Sequence, residues 1–447
     1  MKDTIFALAT AIASSIAVIR ISGKDSLSAI KKIFPVKKEM ESHKMNYGKI
    51  VFDGQVVDEV YVVYFKGPRS YTGEDIVEIQ CHASQPVIKQ LLHILSLIGL
   101  RYAQPGEFTK RAFFNNKLSL TQAEAVMDLI SASSEKSSKS ALDQMEGSLN
   151  SSLNIIRDNL TDCIASLEAQ IDYPDEELFD DFNEVKVNII NIKEQIKKLI
   201  ISYNEGIIIK DGLKVVLAGK PNAGKSSLFN ALLGVKRAIV TDIPGTTRDA
   251  LQERIIINGV PIVLIDTAGL RDTEQEIEQI GIDIANEQIK KADLVLYVVD
   301  KTDINSFDKI EDIIKSETDI LVFSKDDIED DSHLIESIVS NIDIPYVRIS
   351  STENWGLEEL KKIIFDFIEN QKQLDYSGPI ITNARHQQAL KNCMEYLTSA
   401  IDAFDNMDID CVTIDLRAAL NYFGEINGET LDEEIIDKIF SKFCLGK

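Results

Sequence analysis

The chain has 447 residues, a length that suggests about two to four domains. Hydrophobic residues make up 44% and charged residues 27% of the chain, which is typical of a soluble globular protein. The formal charge of -24 and the pI near 4.7 exclude a protein that coats nucleic acid non-specifically, although they leave room for a local basic patch.

The first apolar stretch, residues 5–19, has the composition of a secretion signal and follows Lys2. However, Asp3 cancels the charge of Lys2, no clear cleavage site follows, and the nucleotide motifs described below need a cytosolic pool. The five cysteines lack C-x-x-C spacing, which is typical of reduced thiols and gives no metal site. We therefore expect a cytoplasmic protein, and no other stretch is long and apolar enough to span a membrane.

Residues 1–117 carry short β-like runs separated by turn signals such as Asp53-Gly54. A helix-like stretch over 85–98 follows, and Gly99 is well placed to end it. This pattern predicts an α+β domain. The lysines between 31 and 49 form the only markedly basic stretch here, and they are either a solvated surface or a contact to RNA or a partner.

Helical spacing dominates residues 118–210 and returns in residues 373–447. Between them, residues 211–372 alternate strand-like and helix-like runs, including the hairpin signal Asn258-Gly259. Leu294–Val299 is typical of a buried parallel strand, as is the apolar run that begins at Ile320. The two helical stretches therefore indicate one all-α domain that is interrupted by an inserted α/β domain.

The insert opens on a phosphate-binding pattern, G-K-P-N-A-G-K-S-S, over residues 219–227. An apolar run precedes the pattern and a helix-like run follows it, which predicts a strand, a tight loop and a helix. The glycines let backbone N–H groups turn toward an anion, and the positive end of the helix faces the same phosphates. Lys225 adds a charge for the outer phosphates, and Ser226 offers a hydroxyl to Mg²⁺.

Further motifs follow in the order that guanine-nucleotide binding requires. A threonine of T-D-I-P-G-T-T-R-D, over 241–249, can supply a second magnesium hydroxyl. Asp266, which opens D-T-A-G, can hold the ion through water, and Gly269 can donate to the terminal phosphate. Asp327 of S-K-D-D can accept from guanine N1–H and N2–H, which adenine cannot satisfy, and the backbone at Ser350-Ser351 suits guanine O6. The predicted nucleotide-binding residues are Asn222, Ala223, Gly224, Lys225, Ser226, Ser227, Thr241, Asp242, Ile243, Pro244, Gly245, Thr246, Thr247, Asp266, Thr267, Ala268, Gly269, Ser324, Lys325, Asp327, Ser350 and Ser351.

With these motifs the insert resembles a Ras-type GTPase domain, except that Leu270 stands where Ras-type enzymes place a water-orienting glutamine. The whole chain resembles the MnmE family of tRNA modification GTPases. Outside the insert the resemblance rests on Ile19-Arg20-Ile21-Ser22-Gly23, Tyr71-Thr72-Gly73-Glu74-Asp75 with Glu78, Pro105-Gly106-Glu107-Phe108-Thr109 with Asn116-Lys117-Leu118, and Phe443-Cys444-Leu445-Gly446-Lys447. It implies a multidomain α/β protein with an N-terminal α+β folate-binding-like and dimerisation domain, an all-α helical domain and an inserted Ras-like P-loop GTPase domain.

In the insert, the resemblance implies specific ion ligands and catalytic groups. A potassium ion against the phosphates is held by Asn222, Thr241, Ile243 and Thr246. Magnesium is held by Ser226 and Thr247. Glu278 matches the glutamate that positions the attacking water, although the residue pattern alone would make it a surface helix residue. Arg248 is either a stabiliser of the transition state or a surface switch residue.

The N-terminal domain is similar to the folate-binding domains of one-carbon enzymes. The resemblance implies a tetrahydrofolate derivative, 5,10-methylene or 5-formyl, in contact with Arg20, Glu78, Lys117 and Lys447. Glu78 can accept from pterin N–H groups, while the basic side chains suit the glutamate carboxylate. Taken alone, each of these residues would be a surface ion pair. The thiol of Cys444 is either catalytic or structural and accessory.

Two departures from the family pattern carry consequences. Ser324 replaces the usual asparagine of the guanine motif, so we expect the phosphate loop to lose a brace and nucleotide affinity to fall, while Asp327 preserves the base choice. Residues 11–17 lack the glycine of the family's turn, which puts part of the folate geometry in question.

The resemblance therefore implies a homodimeric, potassium-stimulated GTPase whose G domains close on one another with GTP. The resemblance also implies that the chain works with the FAD-dependent protein MnmG in a heterotetramer or larger complex. Together the two proteins would add an aminomethyl or carboxymethylaminomethyl group at C5 of the wobble uridine of certain tRNAs. Hydrolysis gates the conformational cycle. One alternative is an Era- or Der-type GTPase acting on ribosomal RNA, but that needs a basic module where residues 373–447 are acidic. The other alternative is an oligomeric scaffold that uses GTP only to switch dimer contacts.

Overall fold

The structure is a computed structural model. It describes residues 3–11, 15–36, 39–172, 182–234, 252–266, 287–302, 319–328, 335, 344–372, 378–406 and 409–446. The chain divides into two compact units, Met1–Met127 with Gln144–Ile189 and Asn392–Lys447, and Asp128–Asp143 with Ile190–Lys391. The multidomain fold of helices and sheets predicted from the sequence is confirmed, whereas the exact domain limits at 117, 210 and 372 stay predictions. Within the described ranges, no helix combines the length and apolar character that crossing a membrane requires.

The first unit contains a six-stranded sheet with the strand order β3-β4-β5-β2-β1-β6. Its strands are β1 Ile5–Leu8, β2 Ile16–Ser22, β3 Met45–Phe52, β4 Gln55–Phe65, β5 Ile76–His82 and β6 Arg101–Tyr102. All neighbours are antiparallel except β1 and β6. The predicted turn at Asp53-Gly54 joins β3 to β4, with positive φ at both residues. A hydrophobic core lies between the sheet and the helices α1 Ser26–Ile33 and α2 Gln85–Leu97.

The remaining helices described by the structure precede the second sheet, lie between its first two strands or follow it along the chain. They are α3 Glu107–Phe114, α4 Leu120–Ser131, α5 Glu135–Met145, α6 Ser148–Asp172, α7 Phe182–Asp211, α8 Lys225–Leu233, α9 Leu357–Lys372, α10 Ala384–Asn406, α11 Ile409–Asn427 and α12 Glu433–Phe440. On α6, Leu149, Leu153, Ile156 and Leu160 recur at helical spacing and are all buried. In the first unit, Phe440 and Phe443 pack with Leu120 in a small separate core.

The second unit contains another six-stranded sheet, with the order β12-β11-β10-β7-β9-β8. Its strands are β7 Leu213–Ala218, β8 Gln252–Ile257, β9 Val260–Asp266, β10 Leu294–Asp300, β11 Asp319–Ser324 and β12 Tyr346–Arg348. Only β8 runs antiparallel to its neighbour, across the predicted Asn258-Gly259 turn. Strands β10 and β11 are buried and parallel, as predicted. The carboxyl ends of five parallel strands therefore meet at one edge, which is where open α/β sheets bind ligands.

Candidate functional site

The phosphate loop turns sharply because two of its glycines take backbone conformations that other residues rarely adopt. Gly219 has φ +137°, and a Cβ there would lie 2.2 Å from the carbonyl oxygen of Val298 in β10. Gly224 has φ +92° and immediately precedes α8. Asn222 also has positive φ, at +63°, and it is exposed. The loop therefore aims its backbone N–H groups and the positive end of α8 at the carboxyl edge of the sheet, as an anion site requires.

Lys225 lies folded over this loop. Its side chain is 5% exposed, and the ammonium donates to the carbonyl oxygens of Gly219 at 2.9 Å and Lys220 at 2.7 Å. These bonds hold the ammonium beside the backbone N–H groups of the phosphate loop. A phosphate oxygen can therefore accept from the same ammonium.

The predicted magnesium side of the site brings together two oxygen groups. The hydroxyl of Ser226 donates to Oδ2 of Asp266 at 3.1 Å, and Asp266 is 3% exposed at the end of β9. Hydroxyl, carboxylate and water oxygens are the ligands that Mg²⁺ prefers, so this donor set fits the ion. Ser226 would bind it directly and Asp266 through water.

Ser324 braces the phosphate loop, so the prediction that the loop loses this brace is wrong. The Ser324 hydroxyl lies 2.6 Å from the carbonyl oxygen of Ala223 and 3.1 Å from that of Val299. A Cβ on Gly224 would lie 3.3 Å from the Ser324 side chain. The end of β11 is thus close enough to the loop for a short serine side chain to reach it. The hydroxyl carries one proton, so only one of the two carbonyls receives it at a time.

The predicted guanine loop lies beside β12. The backbone N–H of Asp326 donates to the carbonyl oxygen of Ile349 at 3.1 Å, which ties the loop to the segment that contains Ser350. The Ser350 hydroxyl beside Asp327 lowers the pKa of that exposed carboxyl below its ordinary value. An ionised Asp327 can accept from both guanine N–H groups. Ser351, also assigned to guanine, directly follows this segment and is half-buried.

Two ion pairs beside this loop were not predicted. Lys325, at φ +59°, pairs with Asp300 at 2.5 Å, and Lys301 pairs with Asp326 at 2.9 Å. Burial alone would raise the pKa of Asp300, but hydrogen bonds from Lys325 and Thr302 outweigh it and the pKa lies below its ordinary value. The sequence gives one indication of these pairs: two adjacent residues of opposite charge stand at the end of β10, Asp300-Lys301, and directly after β11, Lys325-Asp326.

Part of the predicted nucleotide site lies outside the described residues. This applies to the stretch 241–248, with the proposed potassium and magnesium ligands Thr241, Ile243, Thr246 and Thr247, the other predicted nucleotide residues Asp242, Pro244 and Gly245, and the candidate stabiliser Arg248. It applies also to Thr267, Ala268, Gly269 and Glu278, and to the folate candidate Lys447. Ala223, Gly224 and Ser227 lie in the phosphate loop or the start of α8, as expected.

In the first unit, the structure brings Arg20 and Glu78 together. They face each other on β2 and β5, and the Arg20 guanidinium donates to Oε1 of Glu78 at 2.9 and 2.8 Å. Their side chains are 17% and 20% exposed. The Arg20 guanidinium also lies 5.3 Å from the ring centre of Tyr71 and 5.7 Å from that of Phe108. A partly exposed cation, carboxylate and aromatic group can together contact a flat polar ring with an acidic tail.

Lys117 and Cys444 lie near this region. The Lys117 ammonium donates to the carbonyl oxygen of Pro68 at 3.1 Å, and its methylenes lie beside Gly73. The carbonyl oxygen of Cys444 accepts from the backbone N–H of Gly106 at 3.4 Å. A Cβ on Gly446 would lie 2.2 Å from the carbonyl oxygen of Leu8, so the C-terminal segment packs directly on β1. Ala11 and Ala17 flank the glycine-free turn, of which residues 12–14 lie outside the described residues.

A buried arginine explains other parts of the N-terminal motifs. Arg111 is 1% exposed and donates to Asp3, Glu74 and Glu107, at distances between 2.8 and 3.3 Å. Glu74 also accepts from the Ser22 hydroxyl at 2.7 Å. Two acidic motif residues therefore neutralise one buried cation, which is a structural role that the sequence pattern did not reveal.

Comparisons with known proteins cover the whole chain. A family model described as the MnmE helical domain matches residues 120–444, and one described as the GTP-binding protein TrmE N-terminus matches residues 4–117. The curated tRNA modification GTPase MnmE of Natranaerobius thermophilus is 43% identical and that of Clostridioides difficile 39% identical, each over 100% of both chains. The solved G domain of the T. maritima FeoB iron transporter is 34% identical over 35% of this chain and 98% of its own, with a TM-score of 0.27.

Proposed function

The chain belongs to the MnmE family of tRNA modification GTPases, and on this premise we propose that it binds GTP at the carboxyl edge of the second sheet. The observation that carries the proposal is the phosphate loop with Lys225 held over it and the Ser226–Asp266 pair beside it. The ionised Asp327, on the loop that Asp326 ties to Ile349, selects guanine. Such an edge presents charge and backbone donors to a triphosphate on a rigid scaffold.

Hydrolysis depends on groups that act where charge develops. Lys225 and the backbone of the phosphate loop orient the terminal phosphates. Glu278 positions the attacking water, because Leu270 stands where Ras-type enzymes place a glutamine and cannot orient water itself. Thr247 completes the magnesium ligands with Ser226. Asn222, Thr241, Ile243 and Thr246 would hold a potassium ion, which would supply a positive charge where an arginine finger acts in other GTPases. Arg248 stabilises the negative charge that develops on the transferred phosphate.

The N-terminal unit holds the one-carbon carrier. Arg20, Glu78, Lys117 and Lys447 bind a 5,10-methylene- or 5-formyl-tetrahydrofolate, with Glu78 on the pterin and the basic groups on the glutamate tail. The packing of the segment before Lys447 onto β1 supports this, because it brings the C-terminal tail to the same unit as Arg20. Cys444 is an accessory residue of this region.

The chain acts as a cytoplasmic homodimer. Together with the FAD-dependent protein MnmG, it modifies C5 of the wobble uridine of tRNA, and GTP-driven pairing of the G domains gates that reaction. The close relatives named as tRNA modification GTPases over their full length support the tRNA substrate.

GTP turnover in potassium and in sodium at equal ionic strength tests the role of the potassium ion. We expect turnover to be at least about tenfold faster in potassium, because the cation stabilises the negative charge that develops in the transition state. Binding of 5-formyl-tetrahydrofolate is measured on the same sample. Equal turnover in both salts together with no folate binding would refute the proposal and favour a scaffold that uses GTP only to switch contacts.

The role of Glu278 is tested by Glu278→Ala. We expect the variant to bind GTP normally and to lose hydrolysis by about 100-fold or more, as loss of a water-positioning group predicts. Glu287→Ala is the matched control, because Glu287 is an exposed glutamate whose carboxylate pairs with Lys291. Turnover of Glu278→Ala equal to that of the control removes Glu278 from the mechanism.

A further inference from the structure

Two crossed ion pairs join the ends of β10 and β11. The strands are in register so that Asp300 lies opposite Ser324. Asp300 pairs with Lys325, and the next residue on each side forms the second pair, Lys301 with Asp326. The first pair is partly exposed, with Lys325 at 39%, whereas the side chains of Lys301 and Asp326 are only 9% and 8% exposed. The charged dipeptides thus pair with opposite polarity at the edge that holds the nucleotide site.

The inner pair fixes backbone as well as side chains. The Lys301 ammonium lies 2.9 Å from Oδ1 of Asp326 and 3.2 Å from its carbonyl oxygen. The N–H of Asp326 is bound in turn to Ile349. The backbone N–H and the carbonyl oxygen of Asp326 are therefore both hydrogen-bonded, and Asp326 directly follows Lys325, which has φ +59°. A left-handed conformation at lysine costs free energy and persists only where its surroundings impose it.

We propose that the Lys301–Asp326 pair is a positioning device that sets the selectivity of this chain for guanine. It fixes the residue immediately before Asp327, and the inference rests on Asp327 reading the base as proposed above. Two hydrogen bonds to one carboxylate need that carboxylate to be placed within a few tenths of an ångström. One of these hydrogen bonds comes from the N2 amino group of guanine, and a displaced carboxylate would weaken it.

A purely structural role makes a different prediction. A buried ion pair that only stabilises the domain would alter the affinity for every purine nucleotide equally, because it would change the folded fraction and not the base contact. The useful readout is therefore the ratio of dissociation constants for inosine diphosphate and guanosine diphosphate, since inosine lacks only the N2 amino group. Selectivity by Asp327 raises this ratio, and a displaced Asp327 lowers it.

The experiment measures both dissociation constants on the full chain by calorimetry. We expect Lys301→Met to lower the ratio by about tenfold, the value of one charge-assisted hydrogen bond. Lys301→Met leaves Asp326 buried and unpaired, so Lys301→Met with Asp326→Leu is made as well to keep a folded domain without the pair. Lys291→Met is the matched control, because it removes the same charge from an exposed pair with Glu287.

The outcomes separate this inference from the function on which it rests. Asp327→Asn should move the preference from guanosine to xanthosine diphosphate, and if it does not, Asp327 does not read the base. If Asp327→Asn behaves as expected while both Lys301 variants keep the ratio of the unsubstituted chain, the positioning role is overturned. A lowered ratio in the double variant, with the ratio of Lys291→Met unchanged, supports it.

Discussion

The two six-stranded sheets place their polar groups in different ways. In the antiparallel sheet, Arg20 and Glu78 lie in the middle of strands and meet across the ladder. In the mostly parallel sheet, the polar groups lie at the carboxyl ends of strands, as Asp266 and Ser324 do. A parallel sheet collects strand ends at one edge, whereas an antiparallel sheet sends successive ends to opposite edges. A binding site on a parallel sheet is therefore built from the loops at one edge, whereas a binding site on an antiparallel sheet is built from side chains on one face.

The two regions also use buried charge differently. Arg111 is surrounded by carboxylates of its own unit, so its charge is neutralised inside the fold. Lys225 is almost as buried, and its ammonium donates to the backbone carbonyl oxygens of Gly219 and Lys220 in the phosphate loop. The first arrangement stabilises structure, and the second holds a positive charge over the loop that is predicted to bind phosphate. Substitutions of the two cations should therefore act on different properties.

The largest effect should come from Arg111→Met. We expect the first unit to lose about 3–5 kcal/mol of unfolding free energy, because Glu74 would lose the buried cation that pairs with it and Glu107 would keep only Arg101. Hydrogen exchange should show lower protection in β2 and β5 and unchanged protection in β7 and β9. Arg69→Met, which removes an exposed arginine of the same unit, is the control. Equal loss of protection in both sheets would contradict the division of roles.

Lys225→Ala should weaken GTP binding by about 100-fold or more while leaving the unfolding of the first unit unchanged. The reason is the loss of charge-assisted hydrogen bonds to phosphate, each of which is worth about 1.5–3 kcal/mol. Binding is measured by fluorescence titration with a labelled guanine nucleotide. Lys214→Ala removes an exposed lysine from the strand that leads into the loop and should bind normally. Normal affinity in Lys225→Ala would remove the phosphate-loop assignment.

Ser324→Ala should have a smaller effect, an increase of about fivefold in the rate of GDP release. Its hydroxyl supplies one neutral hydrogen bond to the phosphate loop, which is worth about 1 kcal/mol. Ser202→Ala is a matched control, because Ser202 is also buried and hydrogen-bonded to backbone but lies on α7. If both variants release GDP at the unchanged rate, the contact to Ala223 does not brace the loop.

Acid should destabilise the first unit gradually. Burial would raise the pKa of Glu107, but hydrogen bonds from Arg101, the Gln104 backbone and Arg111 outweigh it, so the pKa lies below its ordinary 4.5. A carboxylate with a lowered pKa stabilises the fold fully above pH 4.5 and loses that contribution as pH falls through the lower folded value. Unfolding by denaturant is followed from about pH 6 to about pH 3. Glu107→Gln should flatten the decline, and an equally steep decline would contradict this assignment.

The sequence predicted best those features that depend on neighbouring residues in the chain, such as a loop that directly follows a strand. The phosphate loop, the Asn258-Gly259 hairpin and the buried strands β10 and β11 depend on local patterns, and all were predicted. Arg20 and Glu78, by contrast, pair across 58 positions of sequence. No local pattern reports such a pairing, so only family resemblance brought the two residues together.

The missed features all depend on distances between segments. The Ser324 brace exists because β11 ends within hydrogen-bond reach of Ala223. The crossed ion pairs depend on the register of β10 against β11, and the Arg111 cluster depends on Asp3 reaching α3. Residue types alone predicted the chemistry of these groups. Which groups meet is set by tertiary packing, which a single sequence does not reveal.

The close contact between Gly446 and Leu8 has a consequence for biosynthesis. A ribosome releases β1 long before it adds the segment that packs on that strand. Part of the edge of the nascent N-terminal sheet, at Leu8, therefore stays uncovered while the whole nucleotide-binding insert is translated. A product truncated inside that insert would lack the covering segment, so cellular proteases and chaperones could distinguish it from the finished protein by this exposed edge.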